Sequence, residues 1–273
     1  MARAIAAALT PLREGGASLD LDALPPYLEF LAGHGIDGVL LLGTTGEGMN
    51  LALDERQAAL EAALDGPLPV IAHCGAQTTA GTVALCTHAE AAGAAGVAVI
   101  APPYFVLDEE ALLAHFTAAA RSCASTPFYA YELQAASGYA ILPRVIERLC
   151  ERANNLVGMK VSDSPFENVA PYMLEGLDVL VGAEALIGQG LAAGAAGAVS
   201  GLASAFPEVV VEAVRSGDST AAGELRAKVE RFPRHAALKE VVQARGVPLR
   251  PDVRPPLRAL APAERDELLG SVL

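Results

Sequence analysis

The chain has 273 residues, a length that suits one barrel-sized domain better than two catalytic domains. Its 19 Lys plus Arg against 32 Asp plus Glu give a formal net charge of −13 with no basic run, which removes nucleic acid as a partner. Hydrophobic residues make up 52%, much of it alanine, and no stretch approaches the roughly 18 continuous apolar residues that a membrane span needs, so a soluble, cytoplasmic protein with no membrane partner is expected. Cys74, Cys86, Cys123 and Cys150 are scattered without metal-ligand spacing and read as four buried, reduced thiols.

In chain order, short apolar runs alternate with longer stretches of helical period. The run from Met1 to Leu9 is too short for a secretory signal and reads as a first strand. Strands are expected over Ala4–Leu9, Gly38–Leu42, Pro69–His73, Val97–Ala101, Pro127–Tyr131, Leu156–Lys160, Val179–Gly182 and Ala198–Gly201. Helices are expected over Leu21–Gly33, Asp54–Leu64, Thr79–Ala92, Asp108–Ser122, Pro143–Arg152, Phe166–Leu174, Glu184–Ala193 and Pro207–Ser216. Asp20, Asp54, Asp108 and Ser164 stand at N-cap positions, and Pro143 and Pro207 suit first turns. An open doubly wound sheet fits the alternation too, but eight strand and helix pairs favour an α/β (β/α)8 TIM barrel. The barrel takes residues 1–217, and 218–273 form a C-terminal helical extension packed on it, with no linker between them.

Barrel sites form at the C-terminal ends of strands, so polar residues there are the candidates for chemistry. Lys160 ends a strand in a chain with three lysines and 16 arginines, while Lys228 and Lys239 are expected on polar helical surfaces. A lysine at a buried strand end is partly desolvated, which exposes a nucleophilic amine suited to a Schiff base; the alternative is a snorkelling or salt-bridged lysine. Tyr131 ends the preceding strand, where its phenol either shuttles protons or packs as a core aromatic. Gly43-Thr44-Thr45-Gly46-Glu47 offers two hydroxyls and free backbone N–H groups for a carboxylate, with Glu47 holding the turn. Gly194 to Gly201 reads as a tight helix-to-strand corner more readily than as a phosphate loop. His73 either reaches the site or serves as a hydrogen-bonded structural histidine, and no metal site is visible.

Leu9-Thr10-Pro11, Gly43-Thr44-Thr45-Gly46-Glu47, Ala101-Pro102-Pro103-Tyr104-Phe105, Val157-Gly158-Met159-Lys160 and Arg254-Pro255-Pro256-Leu257 occur together and in order. In this the chain resembles the dihydrodipicolinate synthase and N-acetylneuraminate lyase family of class I aldolases, over nearly its whole length. The resemblance implies a lyase that condenses or cleaves pyruvate through a lysine imine, with no cofactor beyond that imine, usually as a homotetramer. It places the Schiff base on Lys160, proton shuttling on Tyr131 with Thr44, and carboxylate binding on Thr44 and Thr45 of the Gly43 turn. Gly182 and Val199 fall on backbone positions lining the pyruvate pocket.

Departures bear on the substrate. Ala136 stands where dihydrodipicolinate synthases carry a carboxylate-gripping arginine, and Glu132 and Gln134 replace the usual Asn and Pro. The tyrosine that these synthases lend across the dimer interface aligns with Phe105, unless Tyr104 serves. Ile71-Ala72-His73-Cys74-Gly75 resembles the third strand of the sialic acid lyases, Ser162 stands where they have a threonine facing the substrate, and Glu184 matches an acidic residue that contacts sugar hydroxyls there. Ser162, Glu184 and His73 are therefore expected to meet acceptor hydroxyls, whereas Ala185 and Gly201 depart from the lyases. The expected substrate is a 2-keto-3-deoxy sugar acid or sialic-acid-like compound, built from pyruvate or another 2-oxo acid and an aldehyde. Dehydration of such acids on the same imine, the dihydrodipicolinate reaction and a non-catalytic ligand-binding barrel are the alternatives.

Overall fold

The computed structural model describes residues 2–273; Met1, which opens the first apolar run and the 1–217 segment, lies outside the described residues. Eight parallel strands close into a barrel: β1 (Arg3–Ala7), β2 (Gly38–Leu41), β3 (Val70–His73), β4 (Gly96–Ile100), β5 (Phe128–Glu132), β6 (Leu156–Val161), β7 (Asp178–Val181) and β8 (Gly197–Ser200). Their unbroken apolar sequences follow from burial on both faces. Inward residues Ile5, Leu40, Ile71, Ala98, Tyr129, Leu180 and Val199 fill the lumen, and outward ones pack against helices.

The helices are α1 (Leu24–Gly33), α2 (Leu53–Leu64), α3 (Thr79–Ala92), α4 (Glu109–Arg121), α5 (Gln134–Ser137), α6 (Pro143–Cys150), α7 (Ile187–Ala192), α8 (Pro207–Ser216), α9 (Thr220–Val229), α10 (Arg234–Ala244) and α11 (Pro262–Val272). Asp108 caps α4 as expected, its carboxylate accepting from Ala111 N at 2.8 Å. Asp20 makes no such cap, and Asp54 lies inside the first turn of α2. The helix expected over Phe166–Leu174 is two 3-10 turns, Phe166–Asn168 and Ala170–Tyr172, because Pro171 interrupts the run and Ser164 caps nothing. A short hairpin, Leu12–Arg13 with Ser18–Leu19, and helix α5 were not foreseen. Cys74, Cys86 and Cys123 are buried, but Cys150 is exposed at the end of α6.

His115 of α4 is buried against Thr79, Nδ1 lying 2.9 Å from Oγ1, while its buried Nε2 has no partner. Burial pushes its pKa down to about 4. The folded state therefore holds the imidazole neutral where the unfolded chain, near 6.5, binds a proton, so stability is complete above that value and declines as pH falls. Urea unfolding should show a loss approaching about 3 kcal/mol from this group between pH 7 and pH 4. The His115→Gln variant should lose correspondingly less over the same interval.

Candidate active site

Parallel register places Tyr131 of β5 beside Lys160 of β6 at the C-terminal end of the barrel. Both are buried, and the Lys160 Nζ stands 4.0 Å from the centre of the Tyr131 ring. Lys160 makes no ion pair with a described residue, so its amine is not committed to a carboxylate. The Tyr131 hydroxyl shares a 3.2 Å hydrogen bond with Thr44 Oγ1. Burial alone would push this phenol up; the Lys160 charge and the hydrogen bonds around it outweigh burial and bring it below its ordinary value. A small cavity of about 50 Å³ is enclosed by these residues with Thr45, Ser162, Gly182, Val199, Gly201, Arg226 and Arg234. Gly182 is required here, since a Cβ would overlap Ser162 Oγ.

The Thr44-Thr45 turn is held from several sides. Gly48 packs so closely on Leu42 that a Cβ would overlap its carbonyl oxygen, and Glu47 sits at φ 57. Glu47 Oε1 accepts from Lys239 Nζ at 2.6 Å, and Oε2 accepts from Arg254 N at 2.7 Å. Lys239 is therefore not on a polar helical surface as expected: it is fully buried and also donates to Asp252 O at 2.6 Å. His235 Nε2–H donates to Thr44 O at 2.9 Å. Gly43 is buried at the base of the same turn.

A second cavity of about 260 Å³ adjoins on the far side of Thr44, lined by His73, Ala136 and His235 among mostly apolar neighbours including Met49, Ile100 and Leu257. His73 Nδ1–H donates to Leu42 O at 3.1 Å, and its buried Nε2 has no partner. Burial, then the charges of Arg56 and Lys160, push its pKa well below the ordinary value, so the ring is neutral. Both readings of His73 thus describe one residue: it is hydrogen-bonded structurally and it lines the chamber.

Two expected contacts are not made. Glu184 is buried beside β8, where Oε1 accepts from Ser200 Oγ (2.7 Å) and Leu202 N (2.9 Å), and Oε2 pairs with Arg226. Although burial pushes the Glu184 carboxyl up, Arg226 and these donors hold it below its usual range, and the side chain is fully buried, out of reach of a sugar hydroxyl. Glu184 opens the 3-10 turn Glu184–Leu186 that follows β7. Tyr104 stands clear of its own site, 84% exposed in an apolar tip with Phe105 and Val106. It holds φ 83, a conformation unusual for a bulky residue. Arg226, Arg234 and His235 were missed; all come from the C-terminal helices. The pair Arg234-His235, directly after Pro233 at a helix start, was the available signal. Among the described residues no group of three His, Cys, Asp or Glu side chains is arranged to hold a metal.

A closed parallel barrel with an uncommitted lysine at a strand end beside a hydrogen-bonded phenol is the scaffold of a class I aldolase or lyase. The chain belongs to the dihydrodipicolinate synthetase family, whose profile matches residues 1–272, and like its members it is a carbon–carbon lyase. It is 36% identical over 268 residues to an uncharacterized DapA-like lyase of Halobacterium salinarum, covering 92% of this chain and 86% of that one. To a 4-hydroxy-tetrahydrodipicolinate synthase of Thermus thermophilus it is 36% identical over 225 residues, covering 79% and 75%. The Proteus mirabilis N-acetylneuraminate lyase superposes with a TM-score of 0.89 at 26% identity, covering 100% and 97%. No helix among the described residues is long and apolar enough to cross a membrane.

Proposed function

We propose that the protein is a pyruvate-dependent aldolase that cleaves or forms the C3–C4 bond of a 2-keto-3-deoxy acid through an imine on Lys160. The observation that carries this reading is the uncommitted Lys160 amine stacked on Tyr131, whose hydroxyl is bonded to Thr44. The amine attacks C2 of the 2-oxo acid, and the carbinolamine loses water once its hydroxyl is protonated. Tyr131, with Thr44 as its relay, supplies and recovers that proton, which its lowered pKa favours. Removal of the C4 hydroxyl proton then breaks the C3–C4 bond; the electron pair moves onto the iminium nitrogen and the aldehyde leaves. Protonation of the enamine at C3 and hydrolysis release pyruvate. No cofactor beyond the covalent imine takes part.

The neighbouring 260 Å³ chamber receives the acceptor half. With Ala136 in its wall and His73 neutral, it offers no fixed cation for a second carboxylate, which speaks against the dihydrodipicolinate reaction and for a neutral hydroxyaldehyde. Thr44, His73, Asn50 and His235 are polar groups in its wall, and Ser162 meets the ligand from the smaller cavity beside Lys160. Tyr104, with its left-handed backbone and full exposure, is read as a phenol lent to a neighbouring subunit of a homotetramer, in preference to Phe105.

The test incubates the protein with 2-keto-3-deoxy sugar acids and identifies the products. Pyruvate plus an aldehyde supports the aldolase; a dehydrated keto acid moves the reading to the dehydratase; stabilisation without turnover moves it to a binding barrel. In the same assay Tyr131→Phe should retain the Lys160 imine but lose roughly 10²- to 10⁴-fold in kcat, the usual contribution of a placed general acid–base. Tyr104→Phe should fall in the same direction, whereas Phe105→Leu should not.

A further inference from the structure

Arg234 opens α10 and reaches into the small cavity that holds Lys160, Thr45 and Gly201. It makes no hydrogen bond or ion pair with any described residue, although its surroundings are crowded with charge. The other arginine of the cavity, Arg226, is tied to Glu184 and Glu230. Glu184 spends its contacts on Ser200, Leu202 and Arg226 and makes none with Arg234. Burial, then the Arg226 charge, act against the guanidinium and outweigh the support of Glu184 and Glu230, neither of which contacts it. A partly buried cation without a counter-ion is a cost to the fold unless an anion completes it.

Gly201 lets the guanidinium enter the cavity beside Thr45. A Cβ at this position would overlap Arg234 Nη2 and stand 2.9 Å from Thr45 Oγ1, so both groups crowd one point at the mouth of β8. Any larger residue would expel the guanidinium. Thr45 Oγ1 is likewise without a partner among the described residues. Two free donors, one of them charged, thus converge beside the Lys160 amine, and α10 braces the same turn through the His235 bond to Thr44 O.

We infer that Arg234, whose guanidinium fills the space Gly201 leaves beside Thr45, grips the carboxylate of the 2-oxo acid held on Lys160, and so makes the site select an acid over a simple ketone. This deepens the proposed function and rests on its imine. The carboxylate accepts from the Arg234 guanidinium and the Thr45 hydroxyl, which fixes C2 over the amine before attack.

Borohydride trapping measured against pyruvate concentration tests it, with acetone as the carbonyl that lacks a carboxylate. In Arg234→Met the half-saturating pyruvate concentration should rise roughly 10- to 100-fold, while trapping of acetone stays unchanged. Arg234→Lys should fall between the two, since an ammonium cannot donate in bidentate fashion. Gly201→Ala should reproduce the Arg234→Met defect by displacing the guanidinium, and the double variant should be no worse than Arg234→Met alone. Unchanged pyruvate saturation in Arg234→Met overturns the inference. So does a rise confined to the KM of an aldehyde bearing a carboxylate or phosphate, which would assign the guanidinium to the acceptor. Absence of a pyruvate adduct in the unsubstituted protein overturns the imine itself, a separate failure read before any variant is made.

Discussion

Lys160→Met should abolish the borohydride-trapped pyruvate adduct and lower turnover by on the order of 10⁴- to 10⁶-fold, as removal of a covalent nucleophile does elsewhere. The same substitution should leave the melting temperature unchanged or raised. Lys160 is 5% exposed, its Nζ lies over the Tyr131 ring and it has no carboxylate partner, so methionine of similar length removes a buried polar group without leaving an unpaired charge behind. Peptide mass spectrometry after trapping and a thermal melt are the two readouts. An adduct that persists on Lys228 or Lys239 in the variant would refute the assignment. A large fall in melting temperature would mean that Lys160 serves the fold.

How much of this was visible beforehand follows from the physics of each element. All eight strands were legible, because strands covered on both faces must be apolar throughout and are short. Lys160 and Tyr131 were legible by the same logic, since a polar residue closing such a run has few structural reasons to be there. Helix α10 was not. It is covered on both sides, with Ala236, Ala237, Leu238, Lys239, Glu240, Val241 and Val242 all buried, so it lacks the apolar stripe that marks a surface helix. Reading Lys239 as surface assumed a polar face that α10 does not have. Glu184 fails for another reason: it was expected to open a helix, and it opens a 3-10 turn instead, where its carboxylate is bound by Ser200, Leu202 and Arg226. Arg234 depends on a contact between residues far apart in sequence, and only the missing side chain at Gly201 makes room for it.

Two buried lysines therefore lie at this end of the barrel, and pairing separates their roles. Lys239 is fully buried like a core residue, but its Nζ donates to Glu47 Oε1 and Asp252 O, joining α10 to the threonine turn and to the connector before α11. Burial pushes its pKa down while the Glu47 carboxylate counters it, so the charge survives only as half of a pair. Lys239→Met leaves the buried Glu47 carboxylate with only Arg254 N as donor, and breaking such a pair costs about 3–5 kcal/mol. Chemical denaturation should show that loss, unlike the neutral outcome at Lys160. Replacing both partners, Lys239→Met with Glu47→Gln, should recover a large part of it, because no uncompensated charge then remains. Since Glu47 also sets the turn that carries Thr44 and Thr45, the single variant should weaken pyruvate saturation where it remains folded. Equal stability of the single and double variants would show that the cost comes from lost packing and would remove the ion pair as the brace of the site.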